Sequence, residues 1–412
     1  MKNSDPPFVH RPPVEIHGHV APMTRRRTIV LADLHLTRNT PRRIAAPLVR
    51  FLDAHRGCRL LIAGDFFDFC AEFPTSPSPQ GIFRAHEDLM FAFRAHFKAE
   101  GELFIVVGNH DWAMTSPSFA TELREVLGVP PGQPERLQIH PWFLQTEGIF
   151  LEHGHRYDPD NAPAHPLTPR PTLLGTLMAE EVLARTQATS LVRFHEYGPL
   201  MLLWQTWALY RGRTPRIALA FFASAAKAIR LSGSRSWFEE ERRAGEQRYA
   251  DFERKVSLPA DKVQRLILLS ARPTLTSSRA TFYRLRCDRV FLFLMTAATC
   301  ILASVTTANS WFGPWSLPPL VFGILFALRP ARNPTTIRLK EAALAVREAT
   351  KAELVIFGHA HEEFVGCGYA NPGSFSFPNQ RGMHPYLEVV WNEQELQPRL
   401  AYWQSHSHES TE

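Results

Sequence analysis

Cysteine is scarce in this sequence of 412 residues. The five cysteines are odd in number and scattered, and no two of them form a Cys-x-x-Cys pair. They are Cys58, Cys70, Cys287, Cys300 and Cys367. This pattern argues against a disulfide framework and against a structural zinc site. We therefore expect a reducing, cytoplasmic environment.

The N-terminal segment lacks the apolar core of a secretory signal. Residues 1–27 carry prolines, charges and two histidines, His17 and His19, but no continuous apolar run. A secretory signal needs such a run of roughly 7–15 residues. The sequence therefore predicts a flexible tail over 1–27 and a catalytic part that is not exported.

Charged residues are absent from one long segment, 290–328, where 39 residues contain no Asp, Glu, Lys or Arg. Its first arm, 290–308, has 19 residues, close to the ~20 that a membrane-spanning helix needs. The second arm is shorter and broken by Pro318 and Pro319. This favours one transmembrane helix followed by a short or re-entrant return. The alternative is a helical hairpin buried within the protein or in a dimer interface.

The residues around this hairpin predict its orientation, because positive residues prefer the cytoplasmic side and aromatic residues the interfaces. Arginines flank the hairpin at Arg284, Arg286, Arg289, Arg329, Arg332 and Arg338, and its turn carries Trp311, Phe312 and Trp315. We therefore expect a protein of the inner (cytoplasmic) membrane with its catalytic domain facing the cytoplasm, or a cytoplasmic protein if the hairpin is buried. Upstream, 200–210 and 217–231 mix aromatic and basic residues, which fits membrane-surface helices or amphipathic helices of the insertion equally well.

The length and composition allow a catalytic domain with one large insertion. The apolar fraction of 45% is enough for a sizeable core, and the net charge of +6 fits anionic partners such as phosphates, phospholipid headgroups or nucleic acid. No nucleic-acid recognition motif is present, and the basic residues flank an apolar hairpin rather than forming an isolated stripe. Nucleic acid is therefore not favoured as a partner.

Five apolar runs, each about the length of a buried strand, lead directly into polar clusters. The runs are 28–32, 60–63, 103–107, 149–151 and 354–357. Helical patterns lie between them, at Ile44 to Leu52, at Phe83 to Phe97 and at 335–351. This alternation predicts a layered α/β domain.

The clusters contain the side chains that divalent transition metals prefer, carboxylates, an amide and imidazoles. Loops at strand ends direct such side chains toward one point. We expect one ion to be held by Asp33, His35, Asp65 and His361, and a second by Asp65, Asn109, His153 and His359. Asp65 is placed in both sets because a carboxylate can bridge two ions ~3.5–4 Å apart. Buried structural histidines are the alternative.

These clusters resemble the motifs of the calcineurin-like metallophosphoesterase superfamily. The matching residues are Asp33-x-His35, Gly64-Asp65-x-x-Asp68, Gly108-Asn109-His110-Asp111, His153 and Gly358-His359-x-His361. The resemblance covers residues 28 to about 160 and 353 to about 391. It implies a four-layered α/β/β/α sandwich, a pair of divalent ions, Mn²⁺ first with Fe, Zn or Mg as alternatives, and the ligand sets given above.

Within that superfamily, Leu31 to Leu36 resembles the UDP-2,3-diacylglucosamine pyrophosphatases of lipid A synthesis. Two features differ from that branch. It typically has Arg where this chain has His110, and its lid is far shorter than the 204 residues that separate His155 from His359 here. The histidine matches the broader superfamily, in which it contacts the leaving-group oxygen or phosphate.

The predicted domains follow from the proline-rich boundaries of the long interval. We expect a tail at 1–27, a catalytic domain at 28–160 and 335–402, a helical insertion at 161–334 with the hairpin at 290–328, and a tail at 403–412. The predicted function is hydrolysis of a phosphoester or pyrophosphate bond by metal-bound hydroxide, with His110 as the catalytic residue that protonates or electrostatically supports the departing oxygen. Asp111 is expected to orient His110 through a ring nitrogen, to support the site from outside the ligand sets, or to cap the following turn. Asp68 is expected either to support the site or to be a turn carboxylate.

The apolar and basic insertion favours a lipid-linked or membrane-surface phosphorylated substrate. Soluble nucleotides, phosphomonoesters, phosphoproteins or nucleic acid are alternative substrates. A non-catalytic scaffold of the same fold is an alternative of another class. The oligomeric state does not follow from the sequence.

Overall fold

The computed structural model shows a mixed α/β protein whose strands form two sheets. The described residues are 27–146, 148–188, 191, 199–256, 258–306, 317–328, 335–380, 382–391 and 396–404. The predicted N-terminal tail therefore lies outside the described residues except for Arg27, and so does most of the predicted C-terminal tail.

The strands, in chain order, are β1 (Thr28–Leu31), β2 (Arg59–Ala63), β3 (Glu102–Val106), β4 (Leu137–His140), β5 (Phe143–Thr146), β6 (Ile149–Glu152), β7 (Leu354–Ile356), β8 (Phe364–Gly366), β9 (Tyr369–Asn371), β10 (Met383–Trp391) and β11 (Leu396–Gln404). The α-helices are α1 (Arg42–Ala54), α2 (Pro79–Ala85), α3 (Glu87–Lys98), α4 (Pro117–Leu127), α5 (Leu174–Met178), α6 (Pro199–Tyr210), α7 (Thr214–Ser232), α8 (Ser236–Lys255), α9 (Ala260–Leu268), α10 (Ser278–Arg284), α11 (Cys287–Thr306), α12 (Leu317–Leu328) and α13 (Thr335–Thr350).

The larger sheet has the strand order β11-β10-β1-β2-β3-β4, and the smaller sheet has the order β5-β6-β7-β9-β8. In the larger sheet β1, β2, β3 and β4 are parallel, and in the smaller sheet β6 and β7 are parallel. Parallel neighbours end at the same edge of a sheet. The loops that follow β1, β2 and β3 therefore leave one edge together, and those that follow β6 and β7 leave another.

Three apolar clusters arrange the helices and sheets in layers. Successive residues of β1 point to opposite faces, so that Ile29 packs with α1, α3 and α4 while Val30 faces residues of the smaller sheet such as Leu151 and Ile356. The far face of the smaller sheet packs on α13, where Val355 joins Leu339. Because β1, β2 and β3 are buried on both faces, their sequences are apolar after the first residue of each, which is Thr28, Arg59 and Glu102 respectively.

The sequence predictions for the α/β part agree with this arrangement. Each of the five apolar runs overlaps one strand, β1, β2, β3, β6 or β7, to within one residue at each end, and the helix predicted over 335–351 is α13. The pattern from Phe83 to Phe97 is not one helix, because α2 ends at Ala85 and α3 begins at Glu87. The mixed α/β class is confirmed.

Part of the predicted insertion shares a core with the catalytic segments. Leu258, Val263 and Leu266 pack in the same cluster as Leu339 and Val346 of α13. Backbone hydrogen bonds also join the insertion to the loop after β6, from Ala271 N–H to the Arg156 carbonyl (2.9 Å) and from Thr274 N–H to the Pro159 carbonyl (2.8 Å). The region around α9 therefore docks on the catalytic part rather than forming a separate body.

The predicted hairpin corresponds to α11 and α12, which pack against each other, and its aromatic turn at 307–316 lies outside the described residues. Over the part of the chain that the structure describes, no single helix is both long and apolar enough to cross a membrane, so α11 does not meet the expectation of a transmembrane helix. One helix pair, Met201–Ser232 with Ser236–Lys255, passes the same test jointly but is bent by 72°.

Candidate metal centre

The seven predicted donor side chains lie in one cluster. They come from the loops that follow five strands: Asp33 and His35 after β1, Asp65 after β2, Asn109 after β3, His153 after β6, and His359 and His361 after β7. An apolar cluster lies between the two sheets. The ends of β1, β2 and β3 lie on one side of it, and the ends of β6 and β7 lie on the other. The two sheets therefore contribute donors from opposite sides.

The first predicted ion site is assembled by Asp33, His35 and His361. The Nε2 atoms of His35 and His361 are 3.3 Å apart, and Oδ1 of Asp33 lies 3.4 Å from Nε2 of His361 and 4.0 Å from Nε2 of His35. Oδ2 of Asp65 is 3.8 Å from the same His35 atom. The ligand atoms of Asp33, His35 and His361 are close enough together to hold a metal ion.

The second predicted ion site lies on the other side of Asp65. Nε2 of His153 is 3.3 Å from Oδ2 of Asp65 and 3.0 Å from Oδ1 of Asn109. The imidazole rings of His153 and His359 have their centroids 5.2 Å apart. The structure thus places Asp65 between the two sets of donors, as the sequence predicts.

The backbone at the donors adopts a conformation that side chains other than glycine rarely take. Asp33, His35, Asp65, His359 and His361 all have positive φ, between 45° and 65°. Such a conformation costs of order 1–3 kcal/mol per residue and persists only where the surroundings impose it. Its concentration in five donors indicates that the loops are shaped to hold these side chains rather than to relax.

Two glycines allow the loops to approach each other closely. A Cβ atom on Gly108 would lie 2.2 Å from Oδ1 of Asp65, and one on Gly64 would lie 2.2 Å from Nδ1 of His153. Neither space can hold a methyl group. The glycines of these two motifs therefore serve the packing of the donors.

Buried charges of opposite sign support one another in the cluster. Burial by itself would raise the pKa of both aspartates, but neighbouring histidines, His361 for Asp33 and His153 for Asp65, bring each pKa below its ordinary value. Burial lowers the pKa of His153, yet the Asp65 and Asp33 carboxylates raise it to about 9 overall. Oδ1 of buried Asp33 makes no hydrogen bond to a described residue. Anionic oxygens and imidazoles that face one another in this way fit a divalent transition metal.

His110 is oriented by Asp68. Nδ1 of His110 lies 2.8 Å from Oδ1 of Asp68, whose other oxygen is 3.5 Å from Nδ1 of His35. Burial lowers the pKa of His110, but Asp68 and Asp65 outweigh it and raise the pKa well above its ordinary value. Of the two roles expected for Asp68, the structure favours support of the site.

Asp111 has a different task from the one suggested for it at His110. Its carboxylate is fully buried and accepts hydrogen bonds from the backbone N–H groups of Phe66 (2.7 Å) and Gly108 (2.6 Å). Burial raises its pKa to about 7. Asp111 therefore holds the loops after β2 and β3 together, and the expectation that it orients His110 is not met.

Sequence reasoning missed Asp158, which lies in the loop after β6. Its Oδ2 is 3.1 Å from Nε2 of His359 and also accepts a hydrogen bond from Nδ2 of Asn161 (2.8 Å). Oδ1 of Asn161 in turn faces Nδ2 of Asn109 at 3.4 Å. The sequence shows a carboxylate a few residues after His153, but it does not show that the fold brings this carboxylate to His359.

His110 and Cys70 were also not considered as donors. Ligand atoms of His110 group closely with those of His35 and Asp65, and separately with those of Asp68 and Cys70. Burial raises the pKa of the Cys70 thiol to about 11, which keeps it protonated and weakens it as a ligand. His110 is better placed beside the predicted ions than within their ligand sets, since Asp68 already engages its Nδ1.

The insertion borders the site beside His110. The guanidinium of Arg170 lies over the Trp112 ring at 5.1 Å, and that of Arg185 lies over the Phe73 ring at 5.2 Å. Between them in the sequence, Glu180 is close enough to His110 for the histidine to influence its pKa, which burial raises. The residues around 170–185 therefore form one wall of the entrance.

Comparisons with protein-family models and with curated proteins find no match to this chain.

Proposed function

We propose that this protein is a dinuclear-metal-dependent hydrolase of phosphoester or pyrophosphate bonds with the fold and site of a calcineurin-like metallophosphoesterase. The observation that carries the proposal is the clustering of the seven predicted donors, in which Oδ2 of Asp65 lies 3.8 Å from Nε2 of His35 and 3.3 Å from Nε2 of His153. The layered packing of helices on the outer faces of two apposed sheets supports the four-layered α/β/β/α sandwich.

Two divalent ions fit the donors, with Mn²⁺ as the first candidate and Fe, Zn or Mg as alternatives. Asp33, His35, Asp65 and His361 would hold one ion, and Asp65, Asn109, His153 and His359 the other. When bound, such a pair activates water and neutralises the phosphoryl oxygens.

His110 supplies the proton for the departing oxygen. Its Nδ1 is engaged by Asp68, so its Nε2 is the nitrogen left to face a substrate. Because Asp68 and Asp65 raise the pKa of His110 well above its ordinary value, the imidazole is protonated at neutral pH. A positioned acid of this kind contributes ~10²–10⁴-fold to a rate.

A lipid-linked or membrane-surface substrate is supported by the surface of the insertion. Large apolar side chains are exposed on α6, α7, α11 and α12, including Trp204 (61%), Leu219 (71%) and Phe322 (61%). The four helices are neighbours, since α6 packs on α7 and α12, and α12 packs on α11. Leu203, Trp204, Trp207 and Thr214 line an open cleft of about 350 Å³.

The chain segments that carry these apolar side chains contain basic but no acidic residues. No Asp or Glu occurs in 199–238 or in 289–340, whereas both ranges contain several arginines. An apolar surface with a basic surround binds anionic lipid headgroups and acyl chains together. We refer to the exposed apolar residues of α6, α7, α11 and α12 as the insertion surface.

The hydrolase proposal is tested with the full chain in detergent, freed of metal and then loaded with Mn²⁺. The substrates are a nucleotide-diphosphate lipid, a phospholipid, a nucleotide and p-nitrophenyl phosphate. We expect hydrolysis that requires the metal and is fastest with a lipid-linked substrate. Equal rates on lipid-linked and soluble substrates would remove the lipid part of the proposal.

The variant His110→Ala distinguishes the contribution of the proposed acid from that of the metal ions. We expect its rate to fall by ~10²–10⁴-fold while its bound metal stays at the wild-type level, because His110 lies outside the two ligand sets. Asp65→Ala, in contrast, should lose metal and activity together. Wild-type hydrolysis in His110→Ala, or a protein that neither binds metal nor hydrolyses any substrate, contradicts the proposal.

A further inference from the structure

A partly buried ion pair joins the insertion to the loop that carries Asp158. The carboxylate of Asp160 is buried, and its Oδ2 is paired with Nε of Arg284, the last residue of α10. Its Oδ1 accepts a hydrogen bond from the hydroxyl of Thr274 (2.7 Å). Both partners belong to the insertion, and they are more than a hundred residues away from Asp160 in sequence.

From Asp160 the contacts lead to two predicted metal ligands. The backbone N–H of Asp160 donates to Oδ1 of Asp158 (3.2 Å), and Oδ2 of Asp158 faces Nε2 of His359 (3.1 Å). The neighbouring Asn161 bonds to Asp158 and faces the amide of Asn109. His359 and Asn109 belong to the same predicted ion site.

The direction of these contacts matters for metal binding. A histidine that ligates a metal through one ring nitrogen usually donates its other N–H to a carboxylate or carbonyl, which fixes the ring and raises its basicity. Asp158 occupies that place for His359. Asp158 can do so only while the turn at 158–161 keeps its shape, and the Asp160–Arg284 pair holds that turn from the other side.

We propose that Arg284 is a positioning residue for the second predicted ion site, acting through Asp160 and Asp158 on His359 and through Asn161 on Asn109. This inference rests on the proposed function in so far as that function names the ions. The first predicted ion site shares Asp65 with the second, and the backbone N–H of His359 donates to Oδ2 of Asp33 (3.2 Å). The side-chain contacts that lead from Arg284, however, end at His359 and Asn109. Arg284 therefore affects the second ion more strongly than the first.

The position of Arg284 also connects the ion site to the insertion surface. Three residues after Arg284 the chain enters α11, and α10 packs against both α7 and α11. The helices that carry the exposed apolar side chains are thus attached directly to the residue that holds the turn at 158–161. Correct docking of the insertion becomes a condition for a complete pair of ions.

The experiment is a calorimetric titration of Mn²⁺ into the metal-free full chain, comparing Arg284→Ala, Arg284→Lys and a control. The control is Arg279→Ala, because Arg279 lies on the same helix, is exposed and has its guanidinium over the Tyr283 ring (5.8 Å) rather than at the turn that holds Asp160. Loss of an orienting contact typically weakens metal binding by ~10–100-fold. We expect that loss for one of two ions in Arg284→Ala, partial recovery in Arg284→Lys, and wild-type binding in the control.

A second variant keeps the test valid if Arg284→Ala folds poorly. Asp158→Asn leaves a hydrogen-bonding side chain in place but removes the carboxylate that faces His359, so it should weaken the same single ion. A merely structural role for Arg284 would lower the thermal midpoint of the metal-free protein and weaken both ions equally. That result, or two unchanged affinities in either variant, overturns the proposal.

The outcomes distinguish this inference from the proposed function. A wild-type chain that binds two ions but hydrolyses no phosphoester refutes the proposed function. In that case the Mn²⁺ titration of Arg284→Ala still decides whether Arg284 positions the second ion site. Normal hydrolysis and normal binding in Arg284→Ala refute the role of Arg284 alone. A wild-type chain that binds no divalent ion refutes both.

Discussion

Three carboxylates of this site have different roles because their hydrogen-bond partners differ. Asp68 faces the ring of His110, Asp111 holds two backbone N–H groups, and Asp158 faces the ring of His359. All three are aspartates in loops after strands, so residue type and local context are the same for each. Their partners decide which one affects the acid, the loops or a predicted ligand.

The role of Asp68 can be measured with Asp68→Asn, which keeps the size of the side chain and removes its charge. The amide supports a protonated His110 less well than the carboxylate does, so we expect kcat to fall by ~10-fold or more with little change in KM. Asp111→Asn is the matched comparison and should act through stability, since its carboxyl group bonds only to backbone N–H groups. An unchanged kcat in Asp68→Asn with both ions bound would contradict the assigned role.

Secondary-structure elements determine where the donors can be. Strands β1, β2 and β3 run parallel and in register, so Leu31 pairs with Ile62 and Ala63 with Val106, and the motif loops leave the sheet side by side. The smaller sheet repeats this with β6 and β7, where Leu151 pairs with Ile356. The long insertion leaves the end of β6, and the chain returns through α13 to the opposite edge of the sheet, where β7 begins, so the two strands still pair in parallel.

Within the insertion, His165 predicts a pH dependence of stability. It is 6% exposed, its Nδ1 accepts a hydrogen bond from Leu167 N–H (3.2 Å), and helix α8 approaches it at Gly245. Burial, assisted by Arg156 and Arg242, lowers its pKa to about 4. An ordinary histidine titrates near 6.5, so the unfolded chain takes up a proton at a pH where the folded chain does not.

We therefore expect His165 to reduce the free energy of unfolding as the pH falls from about 6.5 toward 4, by about 2–3 kcal/mol. Above pH 6.5 both states are neutral and the contribution is constant. Denaturant unfolding of the wild type and of His165→Asn at pH 7 and pH 4.5 measures the effect. Asn keeps a hydrogen-bond acceptor but cannot be protonated, so the additional stability that the wild type loses between these pH values is the contribution of His165. If the variant and the wild type lose equal stability between these two pH values, the assignment is wrong.

These elements also show how much of the fold can be predicted from the sequence alone. The apolar runs before Asp33, Asp65, Asn109, His153 and His359 predict strands correctly, because a strand buried on both faces must be apolar along its whole length. The break between α2 and α3 was not predicted, since Phe83 to Phe97 stays compatible with one helical period. The core that α9 shares with α13 could not be predicted from the sequence either, because it joins residues that are far apart in the chain.

The whole molecule combines a candidate metal centre with a broad apolar and basic surface. Arg211 lies over the Trp207 ring (5.7 Å) and Arg289 over the Phe326 ring (5.9 Å), so cationic groups lie among the exposed aromatic and aliphatic side chains. This arrangement suits an anionic lipid surface, where the aromatic rings enter the interface and the guanidinium groups meet the headgroups.

Sedimentation with lipid vesicles tests the insertion surface. We expect the full chain to bind vesicles that contain phosphatidylglycerol more strongly than phosphatidylcholine vesicles, and added salt to weaken the binding. The double variant Trp204→Ser, Trp207→Ser should bind ~10-fold or more weakly, because two large apolar groups no longer leave water. Phe91→Ser is the control, since Phe91 is equally exposed (57%) but lies on α3 of the catalytic part. Equal weakening by the control variant would refute the insertion surface as the lipid contact.

The amino-acid sequence by itself determined the mixed α/β class, the positions of the motif strands and which seven side chains are candidate donors. Those properties are local, because each strand and the polar cluster after it occupy a few consecutive residues. Only the tertiary structure decided that Asp68 rather than Asp111 faces His110, that Asp158 supports His359 and that Arg284 reaches Asp160. Each of these contacts joins separate chain segments or depends on the direction in which a side chain leaves a loop, and neither property is encoded in a short stretch of sequence.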